Sequence, residues 1–178
     1  MKKLTLLVLL ALVPAVSQAA PATTSTSHTV QSRDGVFMGL GGSLRSDDAS
    51  IYLPIEISPL LRVEPFFQWS ETELTPGSST EYRQLGAGGF FRFEVHDHLQ
   101  TYAGGRLSFV DMEFGGGDLD GFAVEPTVGA EFWATPRFTL ALEAYLYWMD
   151  LDGNNGAGAA LENESSGTDT RILLRFFP

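Results

Sequence analysis

From residue 35 onward the chain alternates apolar and polar side chains with a period of two. It does so in eight segments, each closed by turn residues: 35–46, 50–58, 61–73, 81–94, 100–113, 121–134, 137–150 and 168–177. Successive side chains of a strand point to opposite faces, so such segments read as half-buried strands. No window carries a competing 3.6-residue stripe. Strands of about ten residues are long enough to cross a bilayer at a tilt. The connections alternate too. Those at 58–60, 96–99 and 134–136 are tight, while those at 46–49, 75–79, 115–118 and 151–167 are longer. Short turns at one end and longer loops at the other are the layout of a membrane barrel with an even strand number.

The content of the two faces decides which one points inward. Along 138–149, Phe138, Leu140, Leu142, Ala144, Leu146 and Trp148 alternate with Thr139, Ala141, Glu143, Tyr145, Tyr147 and Met149. Along 122–133, Phe122, Val124, Pro126, Val128, Ala130 and Phe132 alternate with Ala123, Glu125, Thr127, Gly129, Glu131 and Trp133. A soluble barrel would put its polar face in water, and such surfaces are rich in lysine. Here the only lysines are Lys2 and Lys3. The polar face carries Arg45, Glu56, Arg62, Glu64, Arg92, Arg106, Glu125, Glu131, Glu143, Arg171 and Arg175, six arginines against five glutamates. That near balance stands out in a chain with 22 acidic and 11 basic residues. Buried charge is tolerated when paired, and the planar fork of arginine suits a carboxylate better than lysine does. The eleven residues are therefore expected to form an ion-pair network in a narrow lumen. Its role is structural locking or, alternatively, a gated ion path.

Aromatic residues form two groups along the strands. Trp69, Tyr147 and Trp148 sit near one end, and Phe91, Phe93, Phe132, Trp133, Phe138 and Phe176 near the other, as expected of interfacial girdles. The N-terminus reads as an export signal over residues 1–19: Lys2 and Lys3, then apolar Leu4 to Val13, then Ser17-Gln18-Ala19. Residues 20–34 read as a flexible lead-in, and 35–178 as the barrel. The acidic excess argues against nucleic acid as a partner. The absence of cysteine excludes disulfides and thiolate metal sites.

Together these features resemble the eight-stranded small outer-membrane proteins of Gram-negative bacteria, of the OmpA transmembrane-domain, OmpX and opacity-protein type. The resemblance implies an all-β, eight-stranded antiparallel up-and-down transmembrane barrel, partnered by outer-membrane lipid and lipopolysaccharide and monomeric. It also implies insertion by the barrel-assembly machinery, which reads a terminal aromatic. Here Phe177 is penultimate and Pro178 follows it. No cofactor is implied.

Enzymatic chemistry finds little support. The three histidines are His28 in the lead-in and His96 and His98 in one tight turn, none on a strand facing a serine. The segment from Asp150 echoes the start of a calcium loop, with Asp150, Asp152 and Asn154 as candidate ligands. Asn155 occupies the position that needs glycine, and Leu161 the position of the bidentate glutamate. Two other readings remain: a surface protein binding through loop 151–167, and a soluble periplasmic ligand-binding barrel.

Overall fold

The computed structural model describes residues 36–44, 49–75, 78–155 and 157–178. The expected export signal and lead-in, and Arg45, lie outside them. Ten strands follow one another: β1 (Phe37–Met38), β2 (Leu40–Ser43), β3 (Ala49–Tyr52), β4 (Ile55–Ser58), β5 (Leu61–Thr75), β6 (Ser78–His96), β7 (Leu99–Phe114), β8 (Gly117–Thr135), β9 (Phe138–Asn154) and β10 (Ala160–Phe176). β1 and β2 are one barrel strand interrupted at Gly39, whose N–H reaches Pro54 O at 2.8 Å. β3 and β4 are a second, interrupted at Leu53 and Pro54. Eight barrel strands result, each antiparallel to its chain neighbours.

The sheet closes because β10 returns to pair with β2. Following directly opposed residues around the ring gives Arg175, Gly41, Tyr52, Phe66, Gly86, Ser108, Ala123, Met149 and back to β10 at Ser165. The circuit starts at residue 175 and returns at 165, a stagger of ten residues over eight strands. With ordinary strand spacings this fixes a tilt of about 40° and a radius of roughly 8 Å, a bore that side chains can fill. Among the described residues each of the eight barrel strands pairs with two neighbours, the arrangement that hydrocarbon surroundings demand.

β5 to β10 are longer than the expected segments, at 15 to 19 residues. The connection 151–167, expected to be a long loop, is mostly paired: Leu151 opposes Asn163 and Asn154 opposes Ala160. Alternating polar residues and a glycine there are compatible with a solvated ribbon, which composition alone reads as loop. The turns at the opposite end are tight, with two residues each between β4 and β5, β6 and β7, and β8 and β9.

Glycines on the inward face have a packing role. Gly86, Gly104, Gly129 and Gly167 directly oppose Phe66, Phe90, Tyr102 and Tyr147. A Cβ on Gly129 would lie 2.4 Å from the Tyr102 ring, and one on Gly86 would lie 2.8 Å from the Phe66 ring. Each ring occupies the space that its glycine partner leaves, as in aromatic rescue. Gly129→Val should displace Tyr102 and lower the unfolding free energy by about 1–3 kcal/mol. Denaturant titration in detergent micelles, followed by tryptophan fluorescence, would measure it; an unchanged midpoint would show that the ring is not held there.

Candidate functional site: the barrel lumen

Adjacent residues on a strand have opposite fates. Leu107 is 66% exposed and Leu142 is 58% exposed, while their neighbours Arg106 and Glu143 are buried at 1% and 0%. The pattern repeats around the ring: Ile51, Phe67, Leu85, Phe91, Phe122, Val128, Leu140 and Ile172 face outward. On β9 the apolar belt runs from Phe138 to Trp148. Ten residues at this tilt span roughly 25 Å, the height of a lipid-facing band. Above it the outward positions turn acidic at once, with Glu71 after Trp69, Asp111 after Phe109, Asp120 before Phe122 and Asp150 after Trp148.

The lumen holds ten of the eleven sequence-selected charged residues; Arg45 lies outside the described residues. The ten form one connected network of alternating sign. It begins near the tight turns, where Arg92 pairs with Glu56. Glu56 also accepts from Arg62 Nη2 at 3.2 Å, and the same nitrogen lies 2.5 Å from Glu131 Oε2. Glu131 accepts from Arg175 Nη1 at 3.2 Å and from the Thr139 hydroxyl at 2.7 Å. Arg175 continues to Glu64 Oε2, 2.8 Å from its Nε, and to Glu143 Oε1, 3.3 Å from its Nη2. Arg106 bridges the same two carboxylates, Nη2 to Glu64 Oε1 at 2.6 Å and Nη1 to Glu143 Oε2 at 2.8 Å. Arg171 lies 3.2 Å from Glu143 Oε2 and pairs with Glu125. Five arginines and five glutamates leave this set formally neutral.

Neutral side chains complete it. Tyr102 donates to Glu143 Oε1 at 2.8 Å, Gln84 Nε2 to Glu125 Oε1 at 2.9 Å, and Arg171 Nη1 to Tyr52 Oη at 3.0 Å. The guanidinium carbon of Arg106 lies 4.7 Å from the Phe90 ring centre, and that of Arg171 lies 3.8 Å from the Tyr145 ring centre. Cation–π contact of this kind supports charges withdrawn from water. Alternation marks these neutral residues as inward-facing, but nothing in their spacing identifies them as partners of particular charges.

Two further layers cap the network. Toward the longer loops, Val110, Leu119, Ala123 and Leu151 are buried together, with Tyr82, Met112, Phe114, Met149 and Leu161 packed against them. Toward the tight turns, Trp133 stacks on Phe177 with ring centres 5.3 Å apart. Trp133 and Tyr147 therefore face the lumen and do not belong to the girdles in which the sequence grouped them: both stand an odd number of residues from their lipid-facing neighbours. Of the terminal aromatics, Phe176 faces outward and Phe177 inward.

The candidate calcium ligands do not converge. Asp150, Asp152 and Asn154 lie at alternate positions of strand β9, all exposed. An extended backbone carries i and i+2 side chains about 7 Å apart, where a coordinating loop would fold back on itself. His96 and His98 are exposed at the turn between β6 and β7.

No family model and no curated protein matches this chain. Among solved structures, it overlays the crystal structure of Neisserial surface protein A with a TM-score of 0.55 at 16% identity, covering 79% of this chain and 93% of that one. A de novo designed transmembrane β-barrel overlays with a TM-score of 0.44 at 15% identity, covering 82% and 97% of the two chains. Ail, the attachment invasion locus protein of Yersinia pestis, gives 0.38 at 12% identity, with coverages of 80% and 93%. The overlay with the neisserial protein establishes the shared small-barrel fold.

Removing one member of a buried network leaves its partners uncompensated. Glu64→Ala takes one carboxylate from both Arg106 and Arg175, leaves the buried set with an excess positive charge, and should cost about 3–5 kcal/mol of unfolding free energy. The exposed Glu162→Ala should cost less than about 0.5 kcal/mol. Equal losses for the two variants, read as denaturation midpoints in micelles, would contradict the buried network.

Proposed function

We propose that the chain is exported and inserted into the bacterial outer membrane as a small barrel with a filled interior, serving the envelope structurally and not as an open channel. The observation that carries this reading is the inverted distribution of side chains, with leucines exposed on the outside and arginine–glutamate pairs sealed within. Water does not suit an outer surface of that kind, and lipid does. In this reading residues 1–19 are the export signal and 20–34 the lead-in. Lipid and lipopolysaccharide surround the belt, the assembly machinery reads the aromatic C-terminus, and the protein is monomeric. Among the described residues the network joins seven of the eight barrel strands, and so locks their register.

The lumen layers favour the filled-interior reading over a narrow pore. An ion would have to pass the Trp133–Phe177 stack and the Val110, Leu119 and Leu151 cluster, as well as the paired charges. In planar bilayers the purified protein should give no stepwise current. Steady conductance levels would overturn the filled-lumen reading, and recovery in the soluble periplasmic fraction would overturn the membrane reading. Leu142→Arg, at mid-belt, should lower folding stability in lipid by about 2–4 kcal/mol. The same change at Asp152, above the belt, should leave it nearly unchanged. A folding titration in liposomes separates the two.

A further inference from the structure

The end of the lumen nearest the tight turns holds more hydrogen-bond donors than the protein uses. Arg62 meets both Glu56 and Glu131 through Nη2 alone, and its Nε and Nη1 are buried without a hydrogen-bond partner. Arg92 directs Nη1 to Glu56 and Nη2 to Ser58 O, and its Nε is buried and unpartnered. The indole Nε1 of Trp133 is a third such donor. Arg62, Arg92 and Trp133 are 0%, 4% and 7% exposed. Among the described residues, one buried side-chain acceptor stands unpartnered against these donors, Gln100 Oε1.

These side chains adjoin one another. Arg62 and Arg92 donate to the same oxygen, Glu56 Oε1. The Arg62 guanidinium carbon lies 6.0 Å from the Phe177 ring centre, and Trp133 stacks on that ring. Gln100 directly opposes Glu131, which Arg62 also meets. The four come from consecutive strands, β5, β6, β7 and β8. Their charge is uneven as well. Glu131 is shared with Arg175, which leaves Arg62 and Arg92 chiefly facing Glu56. Glu94 opposes Gln100 from β6 and is exposed to solvent at the rim. The other unpartnered nitrogens, Arg106 Nε and Arg171 Nε, lie deeper, among Glu64, Glu125 and Glu143.

A buried donor without an acceptor loses its hydration and gains nothing in return. Water brings donors as well as acceptors, so it does not remove a donor excess. An anion brings acceptors only, and guanidinium groups beside an indole N–H are the chemistry that holds one. We infer that this end of the lumen is a binding site for a small monovalent anion of the halide type. Arg62 Nε and Nη1, Arg92 Nε and Trp133 Nε1 donate to it. The Tyr102 and Phe177 ring centres lie 5.8 and 6.0 Å from the Arg62 guanidinium carbon, so the space suits a single-atom ion and not a bulky organic one. The ion enters from the tight-turn end, and the network beyond it closes the way onward. This site takes from the filled-lumen reading only that these side chains face inward.

The test uses the full chain, labelled with nitrogen-15 in its three tryptophans and folded in micelles of uncharged detergent. Trp69 and Trp148 face outward and serve as internal controls. Trp133→Phe assigns the third indole signal. Sodium chloride then replaces sodium gluconate at constant ionic strength. The Trp133 indole signal should move saturably, and those of Trp69 and Trp148 should not. Crystals grown in sodium bromide should show an anomalous bromide peak within hydrogen-bond distance of Arg62 and of Trp133 Nε1.

Two variants separate this site from general salt effects. Arg92→Gln removes one charge and its free Nε, and should weaken chloride binding about tenfold or more. Gln100→Glu is close to isosteric and sets a carboxylate beside the free donors in place of the ion. It should abolish the chloride response while the barrel stays folded, and it carries the test if Arg92→Gln fails to fold. Heat-dependent gel mobility checks the fold of each. An unmoved Trp133 signal, equal movement of all three signals, a chloride response unchanged in either folded variant, or water without bromide at Arg62 would each overturn the site. Stepwise current in planar bilayers would overturn the filled-lumen reading and not this site.

Discussion

Charged side chains confined to a bore of roughly 8 Å radius must satisfy one another, because neither water nor lipid can do so. The rest of the molecule is arranged around that constraint. Arg175 reaches three glutamates, Glu64, Glu131 and Glu143, and Glu143 is reached by three arginines, Arg106, Arg171 and Arg175. Such sharing requires five strands, β5 and β7 to β10, to hold a common register. The ten-residue stagger brings Glu64 on β5, Arg106 on β7, Glu143 on β9 and Arg175 on β10 to one depth, although 111 residues separate the first from the last in sequence.

The lumen is zoned along its axis. Stacked Trp133 and Phe177 lie toward the tight turns, the ion-pair network fills the middle, and an apolar cluster lies toward the long ribbons. Lipid contact requires apolar residues only on the outside. The apolar upper lumen has a different cause: there β5 to β10 run on past the apolar belt, and their concave face needs a core of its own. Below it, glycine–aromatic pairs let large rings share a narrow cross-section with guanidinium groups. Arg106 lies within 6 Å of the centres of three such rings, those of Tyr52, Phe66 and Phe90.

Much of this was legible in the sequence where a local rule acts. A period of two assigns every strand residue to a face, and the lack of lysine beside isolated arginines and glutamates identifies the inward one. The ten described residues chosen in that way occupy the lumen. The pairing was not legible, because Arg62 finds Glu131 across 69 residues through the stagger, which no local pattern encodes. The glycine–aromatic pairs depend on the same register. The 151–167 segment misled for another reason. Outside the membrane both faces of a ribbon can be polar, so the alternation fades while backbone pairing continues. Asp150, Asp152 and Asn154 suggested a metal loop from spacing alone, and extension on β9 separates them.

The central claim is the orientation of the faces. Single labels placed in turn at residues 138–148, read in bilayers containing quenchers confined to the acyl region, test it directly. Quenching should be strong at Leu140, Leu142, Ala144 and Leu146 and weak at Thr139, Ala141, Glu143 and Tyr145. The reverse pattern, or equal quenching at both sets, would contradict the account.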